Sequence, residues 1–137
     1  MKIDVKVDLK AIEELEKKLG GTEGKAAVMR GLKAGAFLIQ STAQQSILAG
    51  GKTGKQYGKH RASAPGEAPA SDTGTLVRGI TARVGSEPLS YEVHSVADYA
   101  GFLEYGTSKM AARPYMQPAA TKSADKIVKL VADELMK

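Results

Sequence analysis

The stretch "LVRGITARVGSEPLSYEVHSV", Leu76 to Val96, decides how this 137-residue chain folds. On its first arm Leu76, Ile80, Ala82 and Val84 alternate with Val77, Gly79, Thr81 and Arg83. On its second arm Leu89, Tyr91 and Val93 alternate with Ser90, Glu92 and His94. A period of two is the mark of a strand with one buried face. The "GSEP" between the arms supplies turn residues, so the stretch predicts an antiparallel hairpin. Near the N-terminus "KIDVKVDL" alternates in the same way and predicts a further strand.

The segments around the hairpin read as helices. "DLKAIEELEKKLGG" predicts a short one, capped by Asp8 and stopped by Gly20 and Gly21, with Leu9, Ile12, Leu15 and Leu19 on one face. From Thr22, as N-cap, to Leu48 the spacing predicts a long helix with an apolar stripe of Val28, Leu32, Gly35, Ala36, Ile39, Ala43 and Ile47. Gly31, Ala34, Gly35 and Ala36 leave part of it thin. A glycine inside a helix costs up to ~1 kcal/mol relative to alanine, so these positions imply another backbone packed close by. Helix-on-sheet packing is the ordinary reading and a subunit contact the alternative. After the hairpin, Asp98 is placed to cap a short helix, "YAGFLEY", closed by Gly106. Pro118 suits the first turn of a last helix with Ala120, Ala124, Ile127, Val128, Val131 and Leu135 on one face.

Between the long helix and the hairpin, "AGGKTGKQYGKHRASAPGEAPASDTGT" is rich in Gly, Pro and Ser and shows no period. It predicts a long flexible loop over 50–75, a length that marks functional or disordered segments. Each flank alone is too small to fold, so residues 1–137 are expected to form a single domain. The expected class is α+β: a small, mainly antiparallel sheet, with a long helix of the N-terminal half and a C-terminal helix packed on it.

Composition excludes several chemistries. The chain has no cysteine, hence no disulfide, thiolate zinc site or cysteine nucleophile. No apolar run is long enough for a signal peptide or a transmembrane span. His60 and His94 lack a second histidine at ligand spacing, which predicts neither a metal nor a catalytic role. "GGKTGK", Gly50 to Lys55, fails the phosphate-loop spacing and follows a helix rather than a strand. Ser63, Ser71 and Ser123 have no nucleophile elbow around them. Glu104 and Arg113 flank a glycine corner, where such a pair is ordinarily structural. No enzyme and no cofactor are expected.

The net charge of +5 permits contact with nucleic acid. Lys52, Lys55, Lys59 and Arg61, with Tyr57 among them, would give a weak, sequence-blind grip on phosphates. The bland reading is a solvated loop. Two further classes therefore stand beside an assembly subunit: a small basic nucleic-acid-binding protein using this loop, and a small hydrolase or nuclease using Glu104, Arg113 and His94.

Two stretches carry a family resemblance. "RASAPGEAPASDTGTLVRGI", Arg61 to Ile80, and "YAGFLEYGTSKMAARPYMQPA", Tyr99 to Ala119, together resemble the tail-completion, or head–tail joining, proteins of long-tailed bacteriophages and prophages. The motif pieces stand here as Tyr99, Ala100, Leu103, Glu104, Tyr105, Gly106 and Thr107, then Arg113, Pro114, Tyr115, Pro118 and Ala119. One departure is Ala68, where the family's loop has its first proline. The resemblance implies a structural protein of the virion neck, assembled in the bacterial host cytoplasm. It implies a ring around the DNA, with a hexamer as the natural size given the sixfold tail tube. Its implied partners are the head connector and the tail terminator or tail tube. On composition alone, Lys52, Lys55, Lys59 and Arg61 are expected to face an acidic neighbouring ring or make non-specific DNA contact. In the second stretch Tyr99, Phe102, Glu104, Gly106, Arg113, Pro114, Tyr115 and Pro118 are expected to form a structural corner, with Glu104 and Arg113 bridging the turn.

Overall fold

A computed structural model describes residues 2–6, 21–49, 51–70 and 74–137. The elements in chain order are strand β1 (Lys2–Lys6), helix α1 (Gly21–Leu48), strands β2 (Gln56–Tyr57) and β3 (His60–Arg61), and helix α2 (Thr75–Arg78). Strands β4 (Ile80–Val84) and β5 (Ser90–Ser95) and helices α3 (Ala100–Tyr105) and α4 (Met116–Leu135) follow. The architecture is α+β, as the alternating and helical periods predict. The short helix expected over 8–20 lies outside the described residues.

One antiparallel sheet has the order β1-β5-β4. Its registers pair Ile3 with Val93 and Ala82 with Val93, so β5 is the central strand. Val93 and Ile80 are fully buried under α1. The α1 stripe is placed as its period requires: Val28, Leu32, Ala36, Ile39, Ala43 and Ile47 are all buried. Two glutamines then fasten α1 to β4 and to the turn α2 ahead of it. Gln40 Oε1 accepts the backbone N–H of Ala82 at 2.8 Å, on the side of β4 turned away from β5, and Gln44 Nε2 donates to the Val77 carbonyl at 3.0 Å.

The thin part of α1 faces α4, not the sheet. A Cβ on Gly31 would lie 2.6 Å from Val131 Cα, and one on Gly35 would lie 2.8 Å from Ile127 Cγ1. The close backbone approach implied by these glycines is therefore a helix–helix crossing inside the subunit. The buried face of α4 is Met116, Ala119, Ser123, Ile127 and Val131. Ala124 and Val128, expected on that face, are exposed. With Ile127 and Val131 fixed against the glycines, helical geometry brings Ser123 inward and turns Val128 to solvent.

Three local expectations give way. Residues 75–78 form a helical turn rather than the start of the strand. Gly74 ahead of it has φ 79°, and Gly79 N–H closes it onto the Thr75 and Leu76 carbonyls. A short apolar run between glycines fits either period, and here local hydrogen bonding decides. Thr22, expected as the N-cap, stands inside α1, which already includes Gly21. Asp98 does not cap α3; the cap position is Tyr99, with no side-chain hydrogen bond.

Replacing Gly31 by Val is expected to lower stability by about 2 kcal/mol, because it forces the α1–α4 crossing apart. Thermal unfolding monitored by circular dichroism checks this, and Ala26→Val on the exposed face of α1 is the control.

Candidate functional site

The corner between α3 and α4 is built around one carboxylate. Glu104 is 5% exposed. Its oxygens accept the N–H groups of Tyr115 at 3.1 Å, Met116 at 2.7 Å and Gln117 at 3.4 Å. The first N–H groups of a helix have no partner within it. A carboxylate satisfies them and meets the positive end of the helix dipole. Glu104 thus caps α4 from outside, across the intervening turn.

Arg113 does not join it. Its Nε donates to the Ser63 carbonyl at 3.3 Å and its guanidinium also to the Ala111 carbonyl at 2.9 Å. Its backbone N–H donates to Leu103 at 2.6 Å. The expected bridge between Glu104 and Arg113 is replaced by two separate tasks: the carboxylate serves helix donors, and the guanidinium serves turn and loop acceptors. The chemical reason is complementarity, since a helix N-terminus offers only donors and a turn offers carbonyls.

The other corner residues fall around this pair. Gly106 has φ 78° and ψ 176°, a conformation open only to glycine. Its N–H closes α3 onto the Phe102 carbonyl at 2.8 Å. Tyr115 is buried, and its hydroxyl donates to Ser95 Oγ at 3.0 Å. Burial pushes its pKa up to about 12. Pro114 is half-buried, and Pro118 stands in the first turn of α4, where no N–H is missed. Tyr99 and Phe102, expected to anchor the corner, instead point outward with 43% and 59% of their surfaces exposed.

The segment after α1 is not structureless. Strands β2 and β3 pair as a hairpin around Gly58, whose φ is 59°. Backbone bonds between Gly54 and Ala62 and between Lys55 and Ala62 prolong it. Glu67, which sequence reasoning passed over, ties the segment together. It accepts the N–H groups of Thr53 and Ala64 and the Thr53 hydroxyl, at 3.0, 2.6 and 3.2 Å. These bonds, the one from Ala64 foremost, hold its carboxyl below its ordinary pKa. Gly66 N–H then docks the segment onto the Ala112 carbonyl. A glutamate three residues after a turn donor was the available signal.

The basic side chains of the segment have local partners. Lys52 Nζ donates to the Ser46 carbonyl at 2.8 Å, at the C-terminal end of α1. Lys55 Nζ stands 5.2 Å from the centre of the Tyr57 ring, and Arg61 donates to the Gly54 carbonyl at 3.0 Å. Lys59 lies exposed in the hairpin turn. His60 and Arg113 line a cleft of about 320 Å³ beside α3. Neither Glu104 nor His94 lines it, so the three groups of a hydrolytic site do not converge there. Among the described residues no cluster of His, Asp or Glu could hold a metal ion, and no helix is long and apolar enough to cross a membrane.

What the surface offers instead is aromatic. The chain has two Phe and five Tyr. Phe37, Tyr57, Tyr99, Phe102 and Tyr105 are all exposed, and only Tyr115 is fully buried. Aromatic residues are enriched at the buried centres of protein interfaces.

Two outcomes follow from the carboxylates. Glu104→Ala is expected to destabilise the fold by about 2 kcal/mol, through buried N–H groups left without partners, and Glu104→Gln by less. Chemical denaturation of the three proteins checks this. Glu67 has a lowered pKa in the folded chain, so its tie is present above the ordinary carboxylate range and is lost as pH falls through the lowered value. An NMR titration following the Ala64 amide is expected to show a midpoint below 4.5.

No curated protein and no solved structure matches the chain. One family model, described as "Bacteriophage HK97-gp10, putative tail-component", matches residues 10–106. That span holds α1, the Glu67 segment, the hairpin and α3 with the capping Glu104, and stops before Arg113 and α4 itself. Since it covers more than half of the sequence, the chain belongs to the HK97-gp10-like family of phage tail components.

Proposed function

We propose that the chain is a structural subunit of the phage neck that joins the DNA-filled head to the tail tube, as a ring around the DNA channel. Membership of a family of tail components supports a place in the virion. The observation that carries the subunit reading is the outward placement of Phe37, Tyr57, Tyr99, Phe102 and Tyr105. A protein working alone gains nothing from five exposed rings. A subunit that must bury surface against neighbours gains its anchors from them.

The partners in this reading are the head connector on one side and the tail terminator or tail tube on the other. The sixfold tube makes a hexamer the simplest ring. Lys59, at the turn of the β2–β3 hairpin, with Lys52, Lys55 and Arg61 behind it, faces an acidic neighbouring ring or the DNA. The role is one of fit and attachment, without catalysis. A nucleic-acid-binding protein using this loop finds less support, since the family is one of phage tail components.

A phage or prophage deleted for the gene is expected to yield filled heads and separate tails, and the purified chain to restore their joining. Intact particles from the deletion would overturn the reading. Replacing Lys52, Lys55, Lys59 and Arg61 together by Ala is expected to reduce joining at least tenfold, and unchanged joining would remove these four from the interface.

A further inference from the structure

Two apolar surfaces stand exposed among the described residues. The first is a ridge on α3: Tyr99, Phe102 and Tyr105 recur every three residues and are 43%, 59% and 76% exposed. The opposite face of the same helix is buried through Ala100 and Glu104. At ~200 Å² per aromatic side chain, the three leave on the order of 350 Å² open to contact. A standard interface covers ~800 Å² per partner, so the ridge would be its centre.

The second surface is a groove of about 640 Å³ between α1 and α4. Phe37, Leu38 and Leu130 form its apolar floor, and Lys126, Lys129 and Asp133 its rim.

The ridge cannot fill the groove of its own chain. Glu104 fixes α3 to the first turn of α4. The groove residues of α4 begin ten residues further along at Lys126, which is ~15 Å away at 1.5 Å per residue. A rigid helix holds the two apart, so any ridge that enters the groove comes from another molecule.

The charges fit that pairing. Asp98 precedes the ridge and Lys109 follows it, while the rim carries Lys126 and Lys129 with Asp133. None of these five side chains takes an ion-pair partner among the described residues. Each surface therefore offers both signs, a carboxylate for the other's ammonium groups and an ammonium group for the other's carboxylate.

We propose that the α3 ridge of one copy of this chain docks into the α1–α4 groove of a second copy. The contact joins two different patches and is head-to-tail, the kind that closes into a ring when the rotation permits. The inference rests on the reading of the chain as an assembly subunit and names the surfaces that would make the ring.

The absence of cysteine allows a clean test on the full chain. Gly101, beside the ridge, has open space where a side chain would stand, and Ala34, beside the groove floor, is exposed. Gly101→Cys and Ala34→Cys are expected to form disulfide-linked dimers when mixed and far fewer when oxidised separately. Homodimers of Gly101→Cys alone, or no cross-link in the mixture at high concentration, would overturn the pairing. Phe102→Asp and Phe37→Asp provide a second measurement by sedimentation. Each is expected to weaken self-association of the chain by at least tenfold. Their mixture should recover one good interface, giving dimers but no rings. Wild-type self-association at every concentration unaffected by either change would also overturn it.

The two ideas fail separately. If the cysteine pair does not cross-link while the chain still restores head–tail joining, the pairing is wrong and the neck reading stands. If joining never depends on the chain, the neck reading falls and the cross-link alone decides the pairing.

Discussion

The fold depends on the Glu104 carboxylate at the N-terminus of α4. A buried anion is expensive unless it is matched, and here the match is a set of helix N–H groups that would otherwise lie unpaired in the same buried place. Each half of the arrangement solves the other's problem. Glu104 belongs to α3, and Met116 opens α4, so the bond fixes two helices across a ten-residue turn. Everything on the outer side of α3 takes its position from this contact, including the ring of Phe102 and the ring of Tyr105.

The second constraint is the crossing of α1 and α4 at Gly31 and Gly35. Dispersion falls off steeply with distance, so two helices in close backbone contact gain from many atoms at once. That gain offsets the helical preference lost to two glycines. The cap at one end of α4 and the crossing along its length together leave this helix little freedom. Strand β4 and the turn α2 ahead of it, held to α1 by Gln40 and Gln44, complete a frame on which loops can be displayed.

Much of this was legible in the sequence. The stripe of α1 and the stop at Gly106 each follow from local rules that tertiary contacts reinforce, whereas β5 buries Ser90, Glu92 and Ser95 along with Val93 and so departs from the one-sided burial its period predicts. What was not legible depended on partners distant in sequence. Glu104 and Arg113 look like an ion pair when only charge is considered, and their division of labour becomes visible only once the donors of α4 and the carbonyl of Ser63 are in place. The run 51–70 looked shapeless because its order comes from Glu67 reaching back to Thr53, a contact without periodicity. The sequence marked Tyr99 and Phe102 as aromatic but could not show which way they face. Their direction is set by the burial of Ala100 and Glu104 on the other side of one short helix.

The bond from Ala82 to the side chain of Gln40 has a consequence for how the protein behaves in bulk. The outer rim of a sheet is a template on which other strands can add without limit. Here the amide that would welcome such a strand at the middle of β4 is already engaged by an oxygen from α1. At that point of the β4 edge a further strand finds no free donor. Association is left to side chains, whose shapes specify a partner and a stopping point.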